Sequence, residues 1–208
     1  MLQNYFDKIY CINLKRRPDR RAQAEAEFAK FGIVVEFVDA VDGNDLPEPT
    51  AISKDGTKLT RGEVGCILSH LKIVQLAKEQ NLKNYLVLED DVEFCYDFNQ
   101  VLPQFIRQLP INFDMIYFGG NHVENYALIM PNIAKINNTF TTHAIGVNHT
   151  AYDKLIEVLT PCTEKADISI ASLHKAMNCY VFRPHLAWQR QGFSDILNEQ
   201  TDYIHLKK

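Results

Sequence analysis

Apolar positions along this chain fall into short continuous runs, separated by longer segments with helical spacing. The run "KIYCINL" (Lys8 to Leu14) predicts a buried first strand. Pro18 and Asp19 then suit the first turn of a helix, where proline forfeits no hydrogen bond and an acid meets the positive end of the dipole. That helix runs through "RRAQAEAEFAKF" and stops at Gly32, which can take the left-handed conformation of a C-terminal cap. "IVVEFVDAVDG" predicts a second strand leading into a turn. Two short apolar strands around one helix make a βαβ unit with parallel pairing.

Residues 44–58, rich in Pro, Asp, Gly, Ser and Thr, have the composition of a loop. Thr60 and Glu63 stand at capping-box spacing before a helix whose Val64, Ile67, Leu68, Leu71 and Val74 share one face. The strand "YLVLE" follows and closes in three consecutive carboxylates, Glu89, Asp90 and Asp91. "FDMIYFGG", "YALIM", "THAIGV" and "CYVFRP" predict further strands, and "HTAYDKLIEVL" and "DISIASLHKAM" predict helices. This alternation predicts an α/β fold, a mainly parallel central sheet flanked by helices. We expect a single domain over residues 1–208, with 184–208 as an irregular C-terminal tail.

Composition narrows the function classes. The chain has 208 residues, enough to bury a sizeable core, with 46% apolar and 23% charged residues. A formal charge of -4 argues against wholesale phosphate-backbone binding, so nucleic acid is not an expected partner. The basic residues nevertheless bunch in "LKRRPDRR", where Lys15, Arg16, Arg17, Arg20 and Arg21 make either a solvated helix start or a local anion site. The five cysteines are odd in number and lack metal-binding spacing. Cys11 and Cys66 lie in apolar patterns, as buried free thiols do, and fit a reducing compartment. "MLQNYFDKIYCINL" has no basic region followed by an uncharged apolar stretch, and no apolar run reaches the roughly 18 residues of a membrane span. The expectation is a cytoplasmic location, bacterial or in host cytosol if the chain is viral, with no integral membrane segment. The glycosylation-type triplets at Asn137 and Asn148 carry no weight without a secretion signal.

The acidic triplet is the candidate chemistry. Strand alternation would point Glu89 and Asp91 one way and Asp90 the other. Two carboxylates about 5 Å apart repel by roughly 3 kcal/mol at an effective dielectric near 20. Solvent, a shared proton or a cation can relieve that repulsion. Open α/β sheets bind ligands at the carboxyl ends of their strands, where this triplet falls, and Mg²⁺ or Mn²⁺ with hard oxygen ligands would suit it. A strand ending in a solvated acidic turn is the ordinary alternative. The basic cluster follows the first strand and should share the same edge, so acids for a cation and arginines for phosphate together suit a nucleoside diphosphate. Acids of the loop "DAVDG" (Asp39 to Gly43) could accept from ribose hydroxyls there, or simply make an Asp-Gly turn.

Taken in order, "INLKRRPDRR", "AVDG", "LTRGEVGCILSH" and "LVLEDDV" resemble glycosyltransferase family 25, which includes lipopolysaccharide-type and procollagen galactosyltransferases. "THAIGVNHTAYDKLIEVL" and "LAWQRQGFSDI" are similar to later elements of that family, so the likeness runs from about Lys8 to Ile196. The resemblance implies a GT-A fold, a UDP-sugar donor, a Mn²⁺-type cofactor and inversion at the sugar carbon. It implies Glu89 and Asp91 as metal-binding residues. Asn13, Leu14, Arg16, Arg20, Asp39, Val41, Ser69, His70 and Asp90 would lie around the nucleotide-sugar, with Asp90 either a ligand or a group behind the ligands. His143 and Gln189 would fall on the acceptor side, and Trp188 either borders the acceptor or packs on the sheet. His185 or His205 could complete the metal shell.

An inverting transfer needs a carboxylate base for the acceptor hydroxyl. Asp167 is the first candidate, with a helix N-cap as its competing role, and Asp195 is the alternative. The family often carries a second acid one turn after this Asp, where this chain has Ala171. The expected activity is transfer of galactose or glucose from a UDP-sugar to a glycan, lipid-linked sugar or hydroxylysine acceptor. Two alternatives stay open: a sugar-nucleotide-binding module without catalysis, and a nucleotidyltransferase making sugar nucleotides. "LKRRPDRR" lacks the glycines of a phosphate loop that the last would want.

Overall fold

The computed structural model describes residues 2–49, 52, 53 and 55–203. The chain opens with β1 (Lys8–Asn13), α1 (Pro18–Phe31), β2 (Glu36–Asp39), α2 (Arg61–Glu79) and β3 (Asn84–Glu89). Next come β4 (Val92–Phe94), α3 (Phe98–Ile106), β5 (Met115–Tyr117), β6 (Asn121–His122), β7 (Ala127–Met130), β8 (Ile133–Lys135), β9 (Thr139–Phe140) and β10 (Ala144–Asn148). The elements α4 (Tyr152–Leu159), α5 (Ala166–Ala171), β11 (Cys179–Phe182), β12 (Ala187–Gln189), β13 (Gly192–Ser194) and β14 (Glu199–Thr201) complete it.

The sequence signals for the first helices correspond to real caps. Pro18 opens α1, and Gly32 closes it at φ 64°, a conformation that glycine adopts without Cβ strain. Thr60 accepts from the Glu63 N–H while the Glu63 carboxylate accepts from the Thr60 N–H, so the capping box of α2 is formed on both sides.

Eight strands form the central sheet in the order β2-β1-β3-β10-β5-β11-β8-β7. The pairs β2–β1, β1–β3 and β5–β11 are parallel, and the remaining neighbours are antiparallel. Strands β10 and β8 therefore run against the other six, and the sheet is mostly parallel in direction. Helices cover both faces. Tyr85 and Val87 of β3 join α2 and α4 through Ile67, Val74 and Leu155. Leu86 and Leu88 point the other way, to Phe28 of α1 and Phe98 and Leu102 of α3.

Gly65 of α2 lets the helix touch main chain: a Cβ there would lie 2.6 Å from the Val41 carbonyl oxygen. The C-terminal segment is more regular than the sequence suggests. β12 pairs antiparallel with β4, and β13 and β14 form a hairpin. The helix expected over "DISIASLHKAM" is α-helical only through Ala171. No helix among the described residues is long and apolar enough to cross a membrane.

Candidate active site

Parallel pairing of β2, β1 and β3 brings their carboxyl ends to one edge, and a cavity of about 500 Å³ opens there. Glu89 is the last residue of β3, while Asp90 and Asp91 form the turn into β4. The turn breaks the strand alternation expected from sequence, and all three acids line the cavity.

Each acid has a different environment. Glu89 Oε1 accepts from the Thr142 hydroxyl at 2.5 Å and lies 3.1 Å from His70 Nε2. Burial alone would raise its pKa, but the His70 and Thr142 contacts outweigh burial and hold it below the usual value. Asp90 receives the Asn13 amide at 2.6 Å on one oxygen and Arg20 Nε at 2.7 Å on the other. With both oxygens engaged, it fixes Asn13 and Arg20 in place. Asp91 pairs through Oδ2 with Arg20 Nη2 at 3.0 Å. Its Oδ1 is buried and has no hydrogen-bond partner among the described residues. Burial, and then the nearby Glu89 charge, push the Asp91 pKa up to about 7.

The arginines expected to meet phosphate line the same cavity. Arg16 bridges Asp42 and Asp195, each at 2.6 Å, and Arg17 pairs with Asp19 at 2.7 Å and also with Asp195. Arg20 Nη1 donates to the Phe193 carbonyl at 3.2 Å, tying the β13 segment to the start of α1. Ser69 joins α2 to the exit of β2 by accepting the Val41 N–H at 2.9 Å and donating to the Gly65 carbonyl at 2.6 Å.

Of the residues singled out from sequence, Asn13, Leu14, Arg16, Arg20, Val41, Ser69, His70, Glu89, Asp90, Asp91, Asp167, Gln189 and Asp195 line the cavity. Asp39 does not; it is exposed, and its carbonyl accepts from Lys72 Nζ at 3.0 Å. The loop acid facing the cavity is Asp42, which caps the turn at Gly43–Asp45 and holds Arg16. His143 is buried outside the lining, 3.1 Å from Thr141 Oγ1 and 3.3 Å from the Ala187 carbonyl. Its own carbonyl accepts the Glu89 N–H, so it braces the acid from behind. His185 is also outside the lining; its Nε2 meets His122 Nε2 and Arg183 Nη1, both at 2.9 Å. His205 lies outside the described residues. Trp188 sits in the β12–β4 ladder and donates to Glu93 at 3.1 Å.

Asp167 is not a helix N-cap, since that position is Lys165. Its Oδ1 accepts the Ile168 N–H at 2.9 Å and its Oδ2 the Thr141 N–H at 3.4 Å, and burial raises its pKa. Asp195 has each carboxylate oxygen on an arginine. Sequence reasoning missed Thr142, which reaches Glu89 across 53 positions, because pairing β10 beside β3 is a tertiary event. It also missed Lys165 and Tyr203 on the lining, for which no local signal exists.

A divalent cation fits the chemistry here. Asp91 Oδ1 is a hard oxygen with no hydrogen-bond partner among the described residues, close enough to Glu89 to feel its charge. The triplet does not by itself draw three donor atoms together. Among the described residues the group that does so is Cys66, His70 and Glu89.

Residues 6–169 match the family model described as glycosyltransferase family 25 (LPS biosynthesis protein). A Drosophila melanogaster protein named glycosyltransferase 25 family member is 37% identical over 133 residues, which are 57% of this chain and 22% of that protein. Human procollagen galactosyltransferase 2 is 34% identical over 148 residues, 63% of this chain and 24% of its own. Mouse inactive glycosyltransferase 25 family member 3 is 35% identical over 135 residues, 57% and 22% of the two chains. The chain thus spans less than a quarter of the length of these relatives. The family match takes in both α2 and the acidic turn that floor the cavity, and by it the chain belongs to glycosyltransferase family 25.

Proposed function

We propose that the chain transfers a hexose, galactose or glucose, from a UDP-sugar to an acceptor hydroxyl, using Mn²⁺ or Mg²⁺. The observation that carries this is the unpartnered Asp91 Oδ1, buried in a cavity that arginines also line. Glu89 and Asp91 would hold the cation, which supplies positive charge where the departing diphosphate gathers negative charge. Arg16 and Arg17 would take phosphate oxygens in exchange for Asp195, Asp42 and Asp19, trading one anion for another without baring a cation. Arg20, clasped by Asp90 and Asp91, keeps the acidic turn from springing apart and sets its orientation toward the donor.

Asp167 is the base in this scheme. Among the described residues it carries no ion pair on either oxygen, whereas Asp195 is committed to two arginines. Its raised pKa improves its affinity for the acceptor's proton. The donor named for the human relative, galactose, makes UDP-galactose the first substrate to test. Calorimetry with UDP should give tight binding with Mn²⁺ and at least tenfold weaker binding in a chelator. UDP release from UDP-galactose or UDP-glucose should require the ion. Binding without turnover on any acceptor would instead favour the binding-module reading, and a requirement for UTP the nucleotidyltransferase reading.

A further inference from the structure

Helix α2 carries Cys66 and His70 four positions apart, hence on one face, and that face meets the end of β3 at Glu89. One donor atom from each, thiol sulfur, imidazole nitrogen and carboxylate oxygen, lies within 4.8 Å of the others. We propose that these three residues form a second, softer metal site that takes a thiophilic divalent ion of the zinc class.

The donor set is the first reason. A thiolate and an imidazole with one carboxylate match zinc and cobalt far better than magnesium or manganese, which favour all-oxygen shells. Geometry is the second. Zinc bonds of about 2.0 Å to nitrogen and oxygen and about 2.3 Å to sulfur place tetrahedral ligands roughly 3.3 to 3.5 Å apart. His70 Nε2 and Glu89 Oε1 already stand at 3.1 Å, and the thiol sulfur lies within 4.8 Å of both, so the set closes on an ion with shifts of roughly an ångström. Access is the third. All three residues line the cavity, so the ion would keep three protein ligands and one open position facing the void. The backbone behind the site is firm: Gly65 seats α2 against the Val41 carbonyl one residue before Cys66, and the His143 carbonyl holds the Glu89 N–H.

Binding is balanced by proton release. The Cys66 thiol gives its proton to buffer as the sulfur–metal bond forms, and the proton between His70 Nε2 and Glu89 Oε1 passes to buffer or, for a neutral imidazole, reappears on Nδ1, as that hydrogen bond is replaced by two coordinate bonds. The ion bond itself needs nothing from the proposed transfer reaction. Its consequence rests on that reading: Glu89 cannot serve a soft ion through Oε1 and also orient freely toward a hard ion beside Asp91. Zinc is then an inhibitor of manganese-supported transfer.

Cobalt is the probe, added to metal-free protein without nucleotide. The expected result is a sulfur-to-cobalt charge-transfer band in the near ultraviolet with tetrahedral bands in the visible, titrating to one equivalent and bleached by zinc. Cys66→Ser should abolish the near-ultraviolet band, and His70→Gln should keep it while weakening affinity. Loss of an outer partner alone costs about 10–100-fold in metal affinity, so loss of a ligand should cost at least tenfold. No charge-transfer band in the wild type, or an undiminished band in a folded Cys66→Ser protein, overturns the site. If Cys66→Ser does not fold, an unchanged cobalt affinity in His70→Gln overturns it equally. None of these readings depends on UDP or manganese, so failure of the transferase proposal leaves the cobalt result intact.

Discussion

The buried histidine cluster and the acidic cluster at the end of β3 are completed to different degrees. The histidine group under β5, β6 and β9 closes on itself. The Thr139 N–H donates to His174 Nδ1 at 3.3 Å, which leaves Nε2 to donate to the Tyr117 hydroxyl at 2.9 Å. His122 meets Thr139 Oγ1 at 2.8 Å and His185 at 2.9 Å. The acidic group at the end of β3 is nearly closed, with His70, Thr142, Asn13 and Arg20 all engaged, yet Asp91 Oδ1 stays unpaired. A satisfied network serves the fold. An interior carboxylate oxygen without a partner costs stability, and that cost is recovered when a ligand arrives.

The largest expected effect separates the two groups by activity. Asp91→Asn should lower UDP-hexose turnover roughly 10³-fold, the scale set by removing an electrostatic contact to the departing group, while leaving thermal stability equal or higher. Near-normal turnover would end the comparison. Asp167→Asn should lower kcat by about 10²-fold or more and spare UDP affinity, since only the proton acceptor is removed. A UDP affinity that falls together with kcat would place Asp167 on the donor instead.

On the histidine side the effect should be on folding alone. His174→Phe keeps a ring but strands the Tyr117 hydroxyl and the Thr139 N–H, a loss of roughly 1–3 kcal/mol in urea unfolding with unchanged UDP affinity.

Asp91 titrates in the opposite sense to the histidines of the other group. Burial, helped by Arg183, lowers the His122 pKa from 6.5 to about 4, and burial with Lys135 does the same to His174. Between those values the unfolded chain binds protons that the folded chain refuses, so this contribution is lost as pH falls from about 6.5 to 4. Asp91, raised from 3.8 to about 7, keeps a proton that the unfolded chain releases, so its contribution is lost as pH rises over that window. Thermal melts of metal-free Asp91→Asn should therefore rise more steeply with pH between about 4 and 7 than those of the wild type. Parallel profiles would remove Asp91 as an acid with a raised pKa. The smallest effect expected is a loss of about 1 kcal/mol in Thr60→Ala, from the broken capping box.

Much of the cavity's floor was legible in the sequence because it is local. Pro18, Gly32, Thr60 and Glu63 mark helix ends through contacts within a turn, and the apolar runs of β1 and β3 need no distant information. The edge they create follows from parallel pairing. Helix α3 was not legible: Pro103 stands inside it and hides a nine-residue helix packed through Phe98, Leu102 and Phe105. Strand alternation also misled at Asp90 and Asp91, where the chain turns to make β4 and its ladder with β12. Asp195 could be named from sequence but not its commitment to Arg16 and Arg17, nearly 180 residues away. Asp39 is what the family resemblance implies, and the sequence of the loop does not tell which of its acids faces inward; Asp42 does.

The reversed strand β10 lies between β3 and β5 and gives each of them a hydrogen-bonded neighbour. The block from β1 to β3 is complete at Glu89, and the second flank of β3 is covered only by β10, a later segment of the chain. An uncovered strand flank is a template for other strands, and β10 both covers this one and places the preceding Thr142 on Glu89. Covering the flank of β3 and completing the contacts of Glu89 thus fall to one and the same segment of the chain.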